Sequence, residues 1–283
     1  MELPRHIIET VVANALAEDI GNGDLTTQTA ISAAVQSTAH IVTREAGVVA
    51  GLPVVIAVFH QLDPRLKVLL HVDDGATVAA GTKLATIVGS ARSILSGERV
   101  ALNLLQRLSG IATTTAQYVA AVAGTKAKIL DTRKTTPGLR ALEKYAVRVG
   151  GGYNHRFGLY DGVMLKDNHL AILAAQGIDL ISAIKQVRQH LGPMVQLEVE
   201  VESVDAAIAA AEAGADLILL DNMPLAQLRL AVQAVAGRAK TEASGGVTLQ
   251  TVRAIAETGV DYISVGALTH SVRALDIGLD CEE

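Results

Sequence analysis

Two stretches of the chain, IAAAEAGADLILLDN over Ile208–Asn222 and RAIAETGVDYISVGA over Arg253–Ala267, repeat one pattern at an offset of 45 residues. Glu212 pairs with Glu257, Gly214 with Gly259, Asp216 with Asp261 and Ile218 with Ile263. In each copy a helical segment stops at a glycine, the residue that best tolerates the left-handed conformation of a helix end, and an apolar strand follows at once. The offset also sets Asp221 opposite Gly266, so both are expected at the same mouth of one sheet or barrel.

The same strand, loop and helix order extends outward from these copies to Gly124. Candidate strands end at Asp131-Thr132-Arg133-Lys134, Met164-Leu165-Lys166-Asp167, Glu198-Val199-Glu200, Leu219–Asn222, Glu242–Gly246 and Ser264-Val265-Gly266. All six end in charged, polar or glycine residues, as the strands of a parallel α/β barrel do where its chemistry gathers. Earlier in the chain the period falls to two, in Thr38–Val42, Val48–Gly51, Leu66–Val72 and Lys83–Val88, which predicts a small, mostly antiparallel sheet. Leu3–Leu16 reads as an amphipathic helix, and the acidic stretch Glu18–Asp24 as a solvated turn, since it lacks the other ligands of a calcium loop. Ser96–Gly110 reads as a helix with Gly110 as its stop. Arg99 then falls in the first turn, where a cation opposes the helix dipole; it reads either as a surface arginine or as one placed there to reach an anion. Asp74–Leu84 resembles the turn of a lipoyl or biotinyl carrier domain, but no Met-Lys or Asp-Lys pair stands there to be modified, so a plain strand-turn-strand is expected.

Charge and composition narrow the function. Lys128–His169 carries eight basic residues against four acidic ones in a chain whose formal net charge is −5. A cationic island in an acidic protein does not suit nucleic acid, which needs a broad basic surface, and Trp is absent with only two Phe and five Tyr to stack on bases. It suits a small, highly charged anion. The single cysteine, Cys281, has no disulfide partner and reads as a bystander thiol in a reducing, cytoplasmic compartment. No stretch reads as a signal peptide or a membrane span, because the apolar runs are broken by Gly, Pro, Thr, Ser or Gln.

Ala243-Ser244-Gly245-Gly246-Val247-Thr248 ends one strand and is expected to open a helix over Leu249–Thr258, and the next strand ends at Gly266. Two adjacent late strands with small-residue ends are where a barrel usually seats phosphate. One mouth would then hold Arg133, Lys134, His155, Arg156 and Lys166, the carboxylates Glu200 and Asp221, and a phosphate seat at Ser244, Gly245, Gly246 and Gly266. Converging arginines imply a ligand with more than one carboxylate, and acidic residues beside a phosphate seat suit divalent metal or ribose hydroxyls. The residues thus describe a barrel enzyme that joins a polycarboxylate to a phosphorylated, metal-bound co-substrate.

Asp131–Thr135, Lys144–Val147, Gly150–Gly152 with Asn154-His155-Arg156, Leu165–His169, Glu198–Glu200 and Ser244–Gly246, in this order, resemble the quinolinate phosphoribosyltransferase family, also called nicotinate-nucleotide pyrophosphorylase (carboxylating). The resemblance runs over essentially the whole chain, from Glu18-Asp19 and Asp24–Thr27 onward. It implies an N-terminal mixed α/β sandwich (residues 1–108), an open seven-stranded α/β barrel (109–268) and a C-terminal segment (269–283) that returns to the first domain. Six barrel strands are legible, and the seventh is sought near Ala112–Thr125 or among the segments read as helical.

The resemblance further implies magnesium-dependent transfer of phosphoribose from phosphoribosyl pyrophosphate to quinolinate with loss of CO2, a step of NAD biosynthesis that needs no prosthetic group. Arg133, Lys134, His155, Arg156 and Lys166 would hold the two carboxylates of quinolinate. Arg99 would reach the same pocket from a neighbouring subunit, making a homodimer the minimal unit, with a hexamer as a further assembly. Glu200 and Asp221 would meet ribose and magnesium, directly or through water, and with Lys134 and Lys166 form the catalytic set. Ser244, Gly245, Gly246 and Gly266 would seat phosphate. A transferase acting on nicotinate or another acceptor, such as a paralogue linked to molybdenum transport, is the alternative.

Overall fold

The computed structural model describes residues 3–282. In chain order its elements are α1 (Arg5–Ile20), α2 (Leu25–Ala30), β1 (Gln36–Thr43), β2 (Gly47–Val48), α3 (Leu52–Leu62), β3 (Lys67–Leu70), β4 (Thr77–Val78), β5 (Lys83–Ser90) and α4 (Ala91–Ala121). There follow β6 (Lys128–Leu130), α5 (Arg140–Val149), β7 (Val163–Leu165), α6 (Asp167–Ala174), α7 (Leu180–His190), β8 (Leu197–Val201), α8 (Val204–Ala213), β9 (Leu217–Asp221), α9 (Leu225–Val235), β10 (Lys240–Ser244), α10 (Val252–Ala256), β11 (Tyr262–Ser264), α11 (Ala267–His270) and β12 (Ile277–Cys281). These form two compact units that interleave along the chain: residues up to Ala116, Thr135–Gly151 and Ala267 onward make the first, and Gln117–Lys134 with Gly152–Gly266 the second. The stretch Thr135–Gly151, inside the range 109–268 expected for the barrel domain, therefore clusters with the first unit.

The first unit is built on an antiparallel sheet of order β12-β1-β5-β3. Ala39, Ile41 and Thr43 of β1 are buried at every second position, as a sheet with one covered face requires. The chain end returns to this sheet, with Ala39 opposite Cys281 and Thr43 opposite Ile277. The sequence pattern hid helix α3, because Gly51 and Pro53 look like breakers. Gly51 instead takes φ 112° at the helix N-cap, and Pro53 falls in the first turn, where its missing N–H is no loss. Asp74 caps this start, its carboxylate accepting the backbone N–H groups of Gly51 (2.7 Å) and Leu52 (3.0 Å). The Asp74–Leu84 turn thus serves a helix end.

Helix α4 corrects three expectations. It runs 31 residues without a break, so Gly110 does not stop it and no strand forms near Ala112–Thr125. Gly110 is there for space, since a Cβ at this position would lie 2.2 Å from the carbonyl oxygen of Arg273. Because the helix begins at Ala91, Arg99 lies beyond its first turn and the dipole argument for it lapses. Asp24 is likewise more than a solvated turn: it caps α2 by accepting the Thr27 N–H at 2.9 Å, and takes a second bond from Ser96 Oγ at 2.9 Å.

The second unit holds six parallel strands in the order β6-β11-β10-β9-β8-β7. Among the described residues the expected seventh strand is reduced to one bridge, Tyr153 beside Leu130, with the Tyr153 N–H on the Ile129 carbonyl at 2.8 Å and the Asp131 N–H on the Tyr153 carbonyl at 3.1 Å. Both copies of the repeat fold as helix, left-handed glycine and strand, with Gly214 at φ 95° and Gly259 at φ 87°. The repeated aspartate has a common task. Asp216 Oδ2 accepts the Leu197 N–H at 2.7 Å and Asp261 Oδ2 accepts the Thr241 N–H at 3.0 Å, each stapling its strand to the start of the preceding one. No helix among the described residues is long and apolar enough to cross a membrane.

Candidate active site

Eleven of the twelve expected site residues belong to the second unit, at or just beyond the carboxyl ends of its strands. Arg99 is the exception. It lies in the first unit on α4, its side chain largely exposed and 3.9 Å from Glu98.

At the end of β6, Asp131 is fully buried and organises the segment after the Tyr153 bridge. Its Oδ1 accepts the His155 N–H at 2.9 Å, and its Oδ2 accepts Asn154 Nδ2 at 2.6 Å. Arg133 and Lys134 follow directly in the loop, where the Lys134 N–H donates to Thr132 Oγ1 at 3.0 Å. Arg156 is anchored through Nη1 on the Gly162 carbonyl at 2.9 Å. Burial and the neighbouring Arg133 charge lower its pKa, while Glu198 partly offsets them, so two guanidinium groups share one confined region.

Lys166 follows β7, with its Nζ 3.9 Å from Glu200 Oε2. Glu200, near the end of β8, has a raised pKa because burial disfavours its charge; Lys166 opposes the shift, and Asp221 and Asp167 add to it. Two carboxylates at the ends of adjacent strands β8 and β9 therefore feel one another. Asp221 Oδ2 accepts Asn222 Nδ2 at 2.7 Å, and Asn222, in the left-handed region at φ 52°, sends its N–H to the Ser244 carbonyl at 2.9 Å. Next to it, Gly245 (φ 97°) and Gly246 (φ 58°) form a loop that L side chains would not enter, and a Cβ on Gly245 would lie 2.1 Å from Asn222 Oδ1. The helix expected over Leu249–Thr258 shrinks to the five residues of α10, since Thr248 and Thr251 hydroxyls bond each other in a turn ahead of it. Any anion seat here rests on the glycine backbone rather than on a helix dipole. Gly266 immediately precedes α11.

The sequence reading assigned no role to the two carboxyls beneath His155. Glu198 and Glu242 are 5% and 0% exposed, and His155 Nε2 lies 2.8 Å from Glu198 Oε2 and 3.9 Å from Glu242 Oε2. Burial first, and then the Glu198 charge, push the Glu242 pKa up to about 7; the Ser264 hydroxyl eases this without reaching hydrogen-bond geometry. The available signal was glutamate alternating with valine in the otherwise apolar β8.

Comparisons with known proteins bear on the chain as a whole. Residues 24–109 match the model of the quinolinate phosphoribosyl transferase N-terminal domain, and residues 111–280 that of its C-terminal domain. The chain is 48% identical over 275 residues to the nicotinate-nucleotide pyrophosphorylase (carboxylating) of Mycobacterium leprae, covering 95% of each chain. It is 45% identical over 295 residues to a mitochondrial quinolinate phosphoribosyltransferase (decarboxylating) of Nicotiana glauca, covering 98% of this chain and 82% of that one. The crystal structure of NadC from Streptococcus pyogenes matches it with a TM-score of 0.94 at 44% identity, over 100% of both chains. The chain belongs to the quinolinate phosphoribosyl transferase family.

Proposed function

We propose that the protein transfers phosphoribose from phosphoribosyl pyrophosphate to the ring nitrogen of quinolinate and releases pyrophosphate, CO2 and nicotinate mononucleotide. The observation that carries this reading is the pairing, within one unit, of the confined guanidinium groups of Arg133, after β6, and Arg156, after the Tyr153 bridge, with the interacting carboxylates Glu200 and Asp221 at the ends of β8 and β9. Arg133, Arg156 and Lys166 supply positive charge for two carboxylates, with Lys134 and His155 completing that wall. Glu200 and Asp221 face the ribose side, where they favour the positive charge that develops at the anomeric carbon as its bond to pyrophosphate breaks. Their mutual repulsion and hard oxygen donors fit the magnesium that accompanies phosphoribosyl pyrophosphate, held directly or through water. Ser244, Gly245, Gly246 and Gly266 turn backbone N–H groups toward phosphate oxygens.

Once the ring nitrogen is alkylated it is cationic. The electron pair left when the adjacent carboxylate departs as CO2 then sits beside a positive charge and takes a proton, so no prosthetic electron sink is required. Arg99 completes the pocket from a partner subunit of a homodimer, and the lone Cys281 fits a cytoplasmic setting.

The deciding experiment offers the purified protein magnesium, phosphoribosyl pyrophosphate and either quinolinate or nicotinate, and follows CO2 and mononucleotide. Quinolinate turnover with one CO2 per mononucleotide, and little turnover of nicotinate, is expected. Turnover of nicotinate alone would overturn the two-carboxylate pocket, and activity with neither would transfer the assignment to a paralogue with another acceptor. For the shared site, mixing inactive Arg99→Ala and Lys166→Ala subunits restores activity in heterodimers; no recovery after proven subunit exchange refutes it.

A further inference from the structure

The His155 ring is bonded at both nitrogens within the protein. Its Nδ1 lies 2.8 Å from the backbone N–H of Arg156. A backbone N–H can only donate, so Nδ1 presents its lone pair and the ring proton sits on Nε2. That proton points at Glu198 Oε2, 2.8 Å away. The side chain is only 12% exposed. His155, Glu198 and Glu242 also bring their ligand atoms within 4.8 Å of one another, a spacing that a metal ion would accept. The direction of the Arg156 bond argues otherwise: a metal-bound histidine donates from its second nitrogen, whereas here that nitrogen accepts.

We propose that Glu198 is a positioning residue for acceptor binding: it holds His155 as the Nε2–H tautomer, and the ring in turn holds the Arg156 backbone, so that His155 serves as a bracket for Arg156 and gives no ring hydrogen bond to the substrate. The proposal rests on the acceptor pocket described above and sharpens it, dividing its wall into residues that touch the carboxylates and one that aims them. The charge of Glu198 reaches Arg156 as well, which places one buried carboxylate under both side chains. Glu242 closes the cluster from β10, its Oε1 and Oε2 and the Glu198 Oε1 all buried without a hydrogen-bond partner among the described residues.

Two measurements test this. The first uses full-length protein labelled with 15N in histidine, with His155 assigned through His155→Asn, and reads the ring nitrogens by NMR at neutral pH. A protonated Nε2 and a bare Nδ1 are expected, unchanged when quinolinate saturates the protein. A doubly protonated ring, an Nδ1–H tautomer, or an Nε2 signal that moves onto the ligand would overturn the bracket. The second compares steady-state kinetics. Glu198→Ala should raise KM for quinolinate about tenfold or more, with kcat and KM for phosphoribosyl pyrophosphate within about twofold, and Glu198→Gln, whose amide oxygen still accepts from Nε2, should recover most of the loss. Equal losses toward both substrates, or no recovery in Glu198→Gln, would reduce Glu198 to a purely structural role. Should Glu198→Ala fail to fold, the tautomer of the parent protein still decides. Should the parent ignore quinolinate, the functional reading falls while the ligand-free ring measurement continues to judge the bracket.

Discussion

Glu143 in the first unit and Glu242 in the second are both shut away from solvent, and their surroundings differ at every polar atom. Glu143 Oε1 receives Arg107 Nε at 2.8 Å, and Oε2 receives the Thr136 N–H at 3.1 Å. Arg107 Nη2 spreads the same charge to Thr136 Oγ1 (2.8 Å) and the Thr269 carbonyl (2.9 Å), so one ion pair, its carboxylate buried and its guanidinium partly exposed, ties three separated stretches of chain. Among the described residues Glu242 has no hydrogen-bond partner at either oxygen, and it shares its pocket with a second carboxyl and an imidazole. A buried acceptor without a partner costs about 1–3 kcal/mol. The first unit spends buried polarity on stability, whereas the second tolerates that cost directly beneath the cations proposed to take the acceptor.

The largest effect should come from breaking the satisfied pair. Arg107→Ala strands the Glu143 charge and is expected to lower unfolding free energy by about 3–5 kcal/mol, read from urea titration. A loss under about 1 kcal/mol would mean that the pair is worth no more than an exposed one, and that the two regions differ less than their geometry suggests.

Glu242 sharpens the contrast through pH. Its folded pKa of about 7 stands above its ordinary 4.5, so the folded state binds the proton more tightly than the unfolded chain does. The stability this provides is fully present below pH 4.5 and is lost as pH rises through about 7. Relative to Glu242→Gln, the parent should lose roughly 3 kcal/mol across that window, measured by paired denaturation curves at pH 4.5, 6 and 8. Parallel curves for the two proteins would show that Glu242 is ionised in the fold.

Arg133→Ala should leave folding intact and raise KM for quinolinate about 30-fold or more, with KM for phosphoribosyl pyrophosphate within about twofold. Equal rises for both substrates would remove Arg133 from the acceptor wall. The smallest effect is expected on the surface: Ser203, which caps α8 by accepting the Ala206 N–H at 3.2 Å, should cost only about 1 kcal/mol of stability as Ser203→Ala, without change in either KM.

Much of the fold was legible because period and punctuation are local. The six parallel strands and the glycine cap of α8 follow from apolar runs closed by Gly214 and Gly259, although α10 itself is capped by Glu257 and Gly259 stands in the turn beyond it. Where local signals serve two purposes, the reading failed. Gly51 and Pro53 open α3 yet look like breakers, and Gly110 resembles a stop while it makes room for the Arg273 carbonyl. The seventh strand escaped notice because one bridge at Tyr153 has no period to detect.

The candidate site divides in the same way. Residue type and position after a strand were enough to single out Arg133, Arg156, Lys166, Glu200 and Asp221, since charged groups at strand ends need only one-dimensional bookkeeping. That Glu198 and Glu242 approach a single histidine depended on strand order and register: β8 and β10 are separated by β9, and His155 enters from a loop held by Asp131. Alternation along a strand tells which face a side chain takes, but which side chains meet across the interior is decided only when the strands assemble in register. The sequence by itself therefore determined the class of fold and the charges at its mouth. The tertiary structure alone decided that the buried Glu198 carboxylate meets His155 Nε2, because a contact between residues far apart in the chain has no local cause.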